Sequence, residues 1–256
     1  MTLEETLAEL RLQREGARHA ETGMWVASVL RERIGAGQLA PGSKLSEEAL
    51  GEALGVSRNT LREAFSTLAV EHVVTRLPNR GVYVARPTAD DVREIYRVRR
   101  YLEPAALAWS PETDISVLRH TVERSRAARE AGSVAGMADA NQAFHAGVVG
   151  LAGSERLTLL MEQVLAEMRL VFHSMAADPV FHAPYVEDNA RIVELLDSGE
   201  HAEASALMTD YLRRAEEQLL AATHTGIRVD WLPRQPTGTL AAEWPSRRGS
   251  PSRGRQ

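Results

Sequence analysis

The sequence contains no cysteine, and none of its apolar runs approaches the roughly 18 to 20 residues that a membrane span requires. Without cysteine there are no disulfides, no thiolate zinc sites and no cysteine nucleophile, so any metal would need His, Asp or Glu ligands. Residues 1–20 are charged and polar, without the apolar core of a signal peptide. We therefore expect a cytoplasmic protein that does not associate with membranes.

The net charge of the 256 residues is −5, but it is distributed unevenly. Residues 24–87 hold eight Lys or Arg and six Asp or Glu, whereas residues 88–232 hold fourteen and twenty-three. A basic segment beside an acidic one is typical of a nucleic-acid-binding module joined to a domain without that role. The length allows two domains, each with its own core.

The first segment has the pattern of a helix-turn-helix. Apolar residues at helical spacing predict a helix over residues 24–34, Ser46 can cap a second helix, and Ser57 can cap a third. Only a tight turn at Gly55 separates the last two helices.

A short hairpin follows these helices. Residues 73–76 and 82–84 are rich in β-branched side chains, and the stretch PNRG between them supplies turn residues. We predict a two-stranded hairpin, so that residues 24–87 form a winged-helix domain.

From Thr88 onward the pattern is helical. Thr88 with Asp91 three residues later resembles a capping box, which opens a helix to about residue 108. Further helices are predicted over residues 110–132, 138–151, 154–174, 182–198 and 202–223.

These elements predict a mainly α protein made of a winged helix-turn-helix domain and an antiparallel α-helical bundle. The bundle occupies residues 88–232. Residues 1–23 form an N-terminal extension, in which one extra helix is possible. Residues 233–256 are rich in Pro, Arg, Ser and Gly, and we expect a disordered basic tail.

The stretch GVSRNTLREAF, residues 55–65, concentrates polar side chains in the first turn of the third helix. Arg58 and Arg62 share one face, while Leu61 and Phe65 face the core. In a helix-turn-helix this turn enters the major groove, where arginine can grip guanine or hold a phosphate. The residues that we expect to contact DNA are Lys44, Ser57, Arg58, Asn59, Thr60, Arg62 and Arg80. The alternative is that the two arginines are merely solvated and that Glu63 pairs with one of them.

Residues 24–87 resemble the winged-helix domain of the GntR family of bacterial transcription regulators, through KLSEEALGEALGVSRNTLREAFSTLAVEHVV and LPNRGVYV. The helical part is similar to the FadR-like (FCD) effector domain, through DDVREIYRVRRYLEPAAL, FHAGVVGLAGSERL and ELLDSGEHAEASALMTDYL.

The resemblance implies a homodimer that binds a short palindromic operator in double-stranded DNA, most simply as a repressor. It also implies that a small-molecule effector, often a carboxylate metabolite, enters the helical domain. By position in the motif, Arg80 and Gly81 take the role of the wing. Glu48 stands where some relatives carry a DNA-contacting arginine, and His72 replaces a frequent helix-ending glycine.

Many members of such a family hold a divalent metal with one aspartate and three histidines. The corresponding positions here are Asn141, His145, Asn189 and Tyr211, so only one of the four ligands is retained. Neutral oxygen atoms neither neutralise a divalent cation nor match its preferred donors. We therefore expect neither a metal nor another cofactor.

The same positions can still form a polar effector pocket, with Arg99 reaching in to bind a carboxylate. The predicted effector-binding residues are Arg99, Asn141, His145, Asn189 and Tyr211. The alternative is a satisfied core, in which the asparagines are paired, the histidine is neutral and Arg99 pairs with Glu103 on its own helix.

Two other functions remain open at this point. The first is a protein-interaction scaffold, although that would not require arginines at the groove-facing positions. The second is a hydrolase with His145 as general base beside Asp139 or Glu187. The sequence contains no nucleophile motif, phosphate loop or complete metal set, so we expect no enzyme.

Overall fold

The computed structural model describes Glu5 and residues 22–110, 114–174 and 179–224. The predicted disordered tail, residues 233–256, lies outside the described residues, and so does nearly all of the predicted extension, residues 1–23. Below, the head means residues 22–87 and the bundle means residues 88–224.

Within these ranges the chain forms nine helices and three strands. Their bounds are α1 Thr22–Gly35, β1 Lys44–Leu45, α2 Glu47–Leu54, α3 Arg58–Val70, β2 Val74–Leu77, β3 Gly81–Val84, α4 Ala89–Trp109, α5 Ser116–Glu130, α6 Val134–Gly150, α7 Glu155–Ser174, α8 Pro179–Asp197 and α9 His201–His224. Among these described helices, none is both long enough and apolar enough to cross a membrane.

The helix-turn-helix of the head forms because its two helices are capped by their own sequence. The Ser46 hydroxyl accepts the backbone N–H of Ala49 at the start of α2, and Ser57 caps α3 in the same way. Gly55 ends α2 in the left-handed conformation, with φ 66° and ψ 34°. Gly51 allows α2 to lie close to α3 and to the turn between them, because a Cβ at this position would lie 3.3 Å from both the Leu61 side chain and the Val56 carbonyl oxygen.

The predicted hairpin is confirmed, but it belongs to a three-stranded antiparallel sheet with the order β1-β3-β2. Pro78 and Asn79 form the turn between β2 and β3, with Asn79 at φ 61°. Strand β1 was not predicted, since its two residues are too short to show alternation. Its pairing of Lys44 with Tyr83 attaches the hairpin to the start of the helix-turn-helix.

Six helices make up the described part of the bundle, and α4 is central to it. The predicted capping box is present, because Thr88 and Asp91 bond each other's backbone N–H. From there α4 packs against α6, α7 and α9. Its buried side chains include Tyr96 and Leu107, which belong to the same hydrophobic core as Phe144 of α6.

Two predictions about the bundle were wrong. The helix expected to begin at Ser110 begins at Ser116, where the Asp114 carboxylate accepts the backbone N–H. Residues 111–113 lie outside the described range. The helix predicted over residues 138–151 begins at Val134, where the Ser133 side chain caps it by accepting the backbone N–H of Gly136.

The head and the bundle share packing through α7. Leu170 is fully buried, yet it lies in the hydrophobic core of the head rather than in that of the bundle. Ala166, one turn earlier, also packs against the head core. The described residues of head and bundle accordingly belong to the same compact unit.

We expect Gly55→Ala to lower the free energy of unfolding by about 1 to 2 kcal/mol, because a Cβ is strained in the left-handed conformation. Gly150→Ala is the matched control, since it adds the same methyl group to a helical residue with open space around it. Chemical denaturation of both variants checks this. Equal effects of the two substitutions would contradict it.

Candidate functional sites

The first turn of α3 presents polar side chains opposite the core of the head. Leu61 and Phe65 are fully buried, whereas Arg58, Asn59 and Arg62 are exposed. The separation of faces predicted from the sequence is therefore present. The start of this helix is open to a partner from outside.

Three of the predicted contact residues already have local bonds. Ser57 Oγ accepts the Thr60 backbone N–H at 3.1 Å and lies 2.9 Å from the Thr60 hydroxyl. Asn59 donates to the carboxylate of Glu63 at 2.9 Å. Glu63 thus pairs with Asn59, not with either arginine as the alternative reading required.

The two arginines of α3 remain available for an anionic partner. Arg58 makes no ion pair with any residue in the described ranges. Arg62 Nε lies 3.4 Å from Glu47 Oε1, with side-chain exposures of 65% and 33%. So exposed a pair contributes little to stability, and a phosphate could displace it.

Lys44 and Arg80 both lie beside Gly81 at the turn end of the wing. The Lys44 side chain runs past Gly81, where an added Cβ would approach Lys44 Cε to 3.3 Å. Gly81 has φ 105°, which favours glycine at this position. Arg80 precedes it in the exposed turn. Lys44, Arg80 and Gly81 therefore meet at the same part of the sheet.

Arg76 joins this surface, although the sequence did not single it out. Its guanidinium donates to the Arg62 carbonyl at 2.6 Å and to Ser66 Oγ at 2.8 Å. These bonds hold β2 against the exposed flank of α3. No local pattern distinguishes Arg76 from other surface arginines, because its partners lie 10 and 14 residues away.

The five predicted effector-binding residues come together inside the bundle. They form one hydrogen-bonded network through a sixth residue, Glu103. The contacts are Arg99 Nε to Glu103 Oε1 at 2.6 Å, Glu103 Oε2 to His145 Nδ1 at 2.6 Å, His145 Nε2 to the Tyr211 hydroxyl at 3.1 Å, the Tyr211 hydroxyl to Asn141 Oδ1 at 2.8 Å, and Asn189 Nδ2 to Asn141 Oδ1 at 2.9 Å.

The pairing of Arg99 with Glu103, which was the alternative reading, is confirmed. Both side chains are buried, with exposures of 2% and 0%. Burial raises the pKa of Glu103, but the charge of Arg99, the contact with His145 and the hydrogen bonds from both side chains together outweigh it and keep this pKa below its ordinary value. The spacing of four residues on one helix predicts the pair of Arg99 and Glu103. The contact of Glu103 with His145 has no such local signal, because the two residues are 42 positions apart in the chain.

His145 is held neutral by its surroundings. Burial lowers its pKa, although the Glu103 carboxylate opposes the shift. Since Nδ1 donates to the carboxylate, Nε2 of the neutral ring is an acceptor. The Tyr211 hydroxyl has one proton for two acceptors, His145 Nε2 and Asn141 Oδ1. A protonated His145 would donate to the hydroxyl and satisfy both contacts.

The network leaves two polar atoms without a partner among the described residues. Arg99 Nη2 is a buried donor, and Asn189 Oδ1 is a buried acceptor. Buried polar groups are normally bonded, and an unbonded one costs about 1 to 3 kcal/mol. The hydrogen-bonding groups of the network are therefore not all paired. The donor Arg99 Nη2 and the acceptor Asn189 Oδ1 can bond a ligand.

The metal positions of the family pattern do not fit a cation. Both nitrogens of His145 are engaged, and Asn141 Oδ1 receives two hydrogen bonds. Within the part of the chain that the structure describes, no three His, Asp or Glu side chains are grouped as metal ligands.

The hydrolase arrangement is also not formed. Asp139 lies 3.7 Å from Arg169, and Glu187 pairs with Arg126 and Arg129 on the surface. Neither carboxylate is a hydrogen-bond partner of His145, whose contacts are those of the network.

Both parts of the chain resemble known proteins. Residues 25–84 match the gntR family of bacterial regulatory proteins, and residues 94–214 match the FCD domain. The chain is 36% identical to a solved transcriptional regulator GntR from Rhodococcus sp. RHA1, with a TM-score of 0.74 over 79% of this chain and 99% of that one.

Several sequence relatives are named for the operon that they regulate, and two of them illustrate the range of similarity. The Nta operon transcriptional regulator of Aminobacter aminovorans is 28% identical over 185 residues, which is 70% of this chain and 86% of the relative. The gluconate operon transcriptional repressor of Bacillus licheniformis is 42% identical over 84 residues, 33% of this chain and 34% of the relative.

We expect Glu103→Gln to lower the free energy of unfolding by about 3 to 5 kcal/mol, because it leaves the Arg99 charge buried without a counterion. The matched control is Glu94→Gln on the same helix, which breaks the exposed pair with Arg97 and costs less than about 1 kcal/mol. Urea unfolding at pH 7 measures both. A loss no larger than that of the control would contradict the role of Glu103.

Proposed function

Because the chain belongs to the GntR family of bacterial regulatory proteins and carries an FCD domain, we propose that it is a repressor that binds a palindromic operator as a homodimer and responds to a carboxylate metabolite. The observation that carries the DNA-binding role is the two-faced start of α3. There Leu61 and Phe65 are buried while Arg58 and Arg62 are exposed. Acting on DNA would place the protein in the cytoplasm.

The DNA surface consists of α3 and the wing. Arg58 and Arg62 enter the major groove, Lys44 and Arg80 bind phosphates beside it, and Arg76 keeps the wing against α3. Ser57 and Thr60 contribute mainly by capping the helix, which fixes the direction of the arginines.

A palindromic site requires two heads at a fixed spacing, and a homodimer supplies them. Two large aromatic side chains of α4 support this, since Tyr101 is 79% and Trp109 82% exposed. Tyrosine and tryptophan are enriched at protein–protein interfaces relative to the rest of the surface, so these two exposed side chains favour a contact with a second copy of the chain.

The effector site lies at the buried network. Arg99 Nη2 is the donor for a carboxylate, and Asn189 Oδ1 accepts from a hydroxyl or amino group of the same molecule. Arg99 and Glu103 already cancel each other's charge, and His145 is neutral. A bound carboxylate would therefore add an uncompensated negative charge, unless His145 takes up a proton.

We expect carboxylate binding to be accompanied by the uptake of about one proton. The pKa of His145 is depressed in the free protein and rises beside the bound anion. As the pH rises from the pKa of the free state to that of the bound state, the affinity for the carboxylate therefore falls by up to about tenfold per pH unit. Calorimetric titration with small hydroxy acids, gluconate among them, in buffers of different ionisation enthalpy measures the uptake.

His145→Asn should abolish the proton uptake, whereas His201→Asn should leave it unchanged. His201 is a suitable control because its contact is a backbone carbonyl, that of Leu107, outside the network. Tight binding without proton uptake by the wild type would contradict the role of His145.

Arg58→Ala and Arg62→Ala should each weaken operator binding by about 1 to 3 kcal/mol if the arginine reads a base. The control is Arg97→Ala, which removes an exposed arginine from the bundle. Sequencing of genomic fragments captured by the wild-type protein identifies the operator, and titration of that operator gives the affinities. Unchanged affinity for both α3 variants would contradict the proposed interface.

A further inference from the structure

A cleft of about 620 Å³ lies between the head and the bundle, apart from the buried network. Its walls come from α1 and the residues just after α3 on one side and from α6 and α7 on the other. This volume is in the range of pockets that hold small organic ligands. Apolar side chains form much of the surface, among them Ile34, Val73, Ala146, Leu159 and Leu165.

Gln142 is the unusual residue of this cleft. It is only 4% exposed, and neither its amide nitrogen nor its amide oxygen has a partner among the described residues. An amide carries two donors and one acceptor group, so its burial without partners is unfavourable. A methionine or leucine would fill the same space without this cost.

Two arginines and three glutamates line the cleft; both arginines have a carboxylate partner, whereas Glu32 and Glu162 form no ion pair with a described residue. Arg31 forms two hydrogen bonds with Glu71, at 2.8 Å and 2.6 Å. Arg169 lies 3.7 Å from Asp139, so its charge is also compensated. The cleft therefore favours an uncharged ligand over an anion, in contrast to the buried network with its partly unbonded arginine.

We propose that this cleft binds a small uncharged molecule that combines an apolar ring with a primary carboxamide or lactam edge. Such an edge places a donor beside an acceptor, as the Gln142 amide does, so the two form a pair of hydrogen bonds once the Gln142 side chain turns from its buried position toward the cleft. The ring then packs against the apolar walls. This second site goes beyond the proposed carboxylate effector and does not depend on it.

The cleft is placed to influence the orientation of the head. Gln142 and Ala146 line it, while Asn141 and His145 on the same helix belong to the buried network. A ligand in the cleft contacts α1 of the head and α6 of the bundle at once. Its binding therefore favours the arrangement of head and bundle in which the cleft has this width.

The test is titration of the full chain with benzamide and with 2-piperidone, followed by protein NMR. N,N-Dimethylbenzamide is the matched ligand control, because it keeps the ring and the carbonyl but lacks both N–H donors. We expect it to bind at least about tenfold more weakly than benzamide, as the loss of a hydrogen bond in a buried site implies.

The protein variants are Gln142→Met, which keeps the size but removes the amide, and Gln218→Met, the same change at an exposed position of α9 that does not line the cleft. We expect Gln142→Met to lose at least about tenfold in affinity for benzamide and Gln218→Met to bind it normally. Gln142→Met should also raise the Tm by a few degrees, since an unbonded buried amide is removed.

Several results would overturn the proposal. They are the absence of binding by both amides, equal binding of the dimethylated control, unchanged affinity in Gln142→Met, or a lower Tm of that variant. The last would mean that the Gln142 amide is bonded within the protein itself. Because none of these measurements involves DNA or a carboxylate, the outcome is separate from that of the proposed function.

Discussion

The ion pair between Arg99 and Glu103 is the constraint around which the bundle is organised. Two charges removed from water are stable only if each has its counterion and further hydrogen bonds. Glu103 meets this condition by bonding His145 on α6, and the network continues to Tyr211 on α9. Because α4, α6 and α9 each supply a member, their relative positions are fixed by polar contacts as well as by apolar packing.

The same network connects the charge of His145 with the hydrogen bonds that hold the helices of the bundle together. A ligand that alters the charge at His145 changes which hydrogen bond the single proton of Tyr211 can make. The adjustment would be felt along α6, which also forms a wall of the cleft beside the head. Neighbouring residues on one helix thus face two different environments, a buried polar network and a cleft beside the head.

The sequence predicts well what depends on local chemistry. The caps at Ser46 and Ser57, the left-handed Gly55 and the hairpin turn act within a few residues, so the helix-turn-helix and the wing could be anticipated. The partners of Glu103 and the isolation of Gln142 could not, because they depend on helices far apart in the chain. The same holds for strand β1, which exists only through its pairing with β3.

Helix α7 contributes to two hydrophobic cores. Met168 and Val171 pack in the bundle, whereas Leu170 between them is buried in the head. The hydrophobic core of the head is therefore not formed by the head alone, because Leu170 of the bundle completes it. The head cannot be transferred to another protein without replacing this contact. A chimera that joins this bundle to a different head would need side chains at positions 166 and 170 that fit the core of the new head.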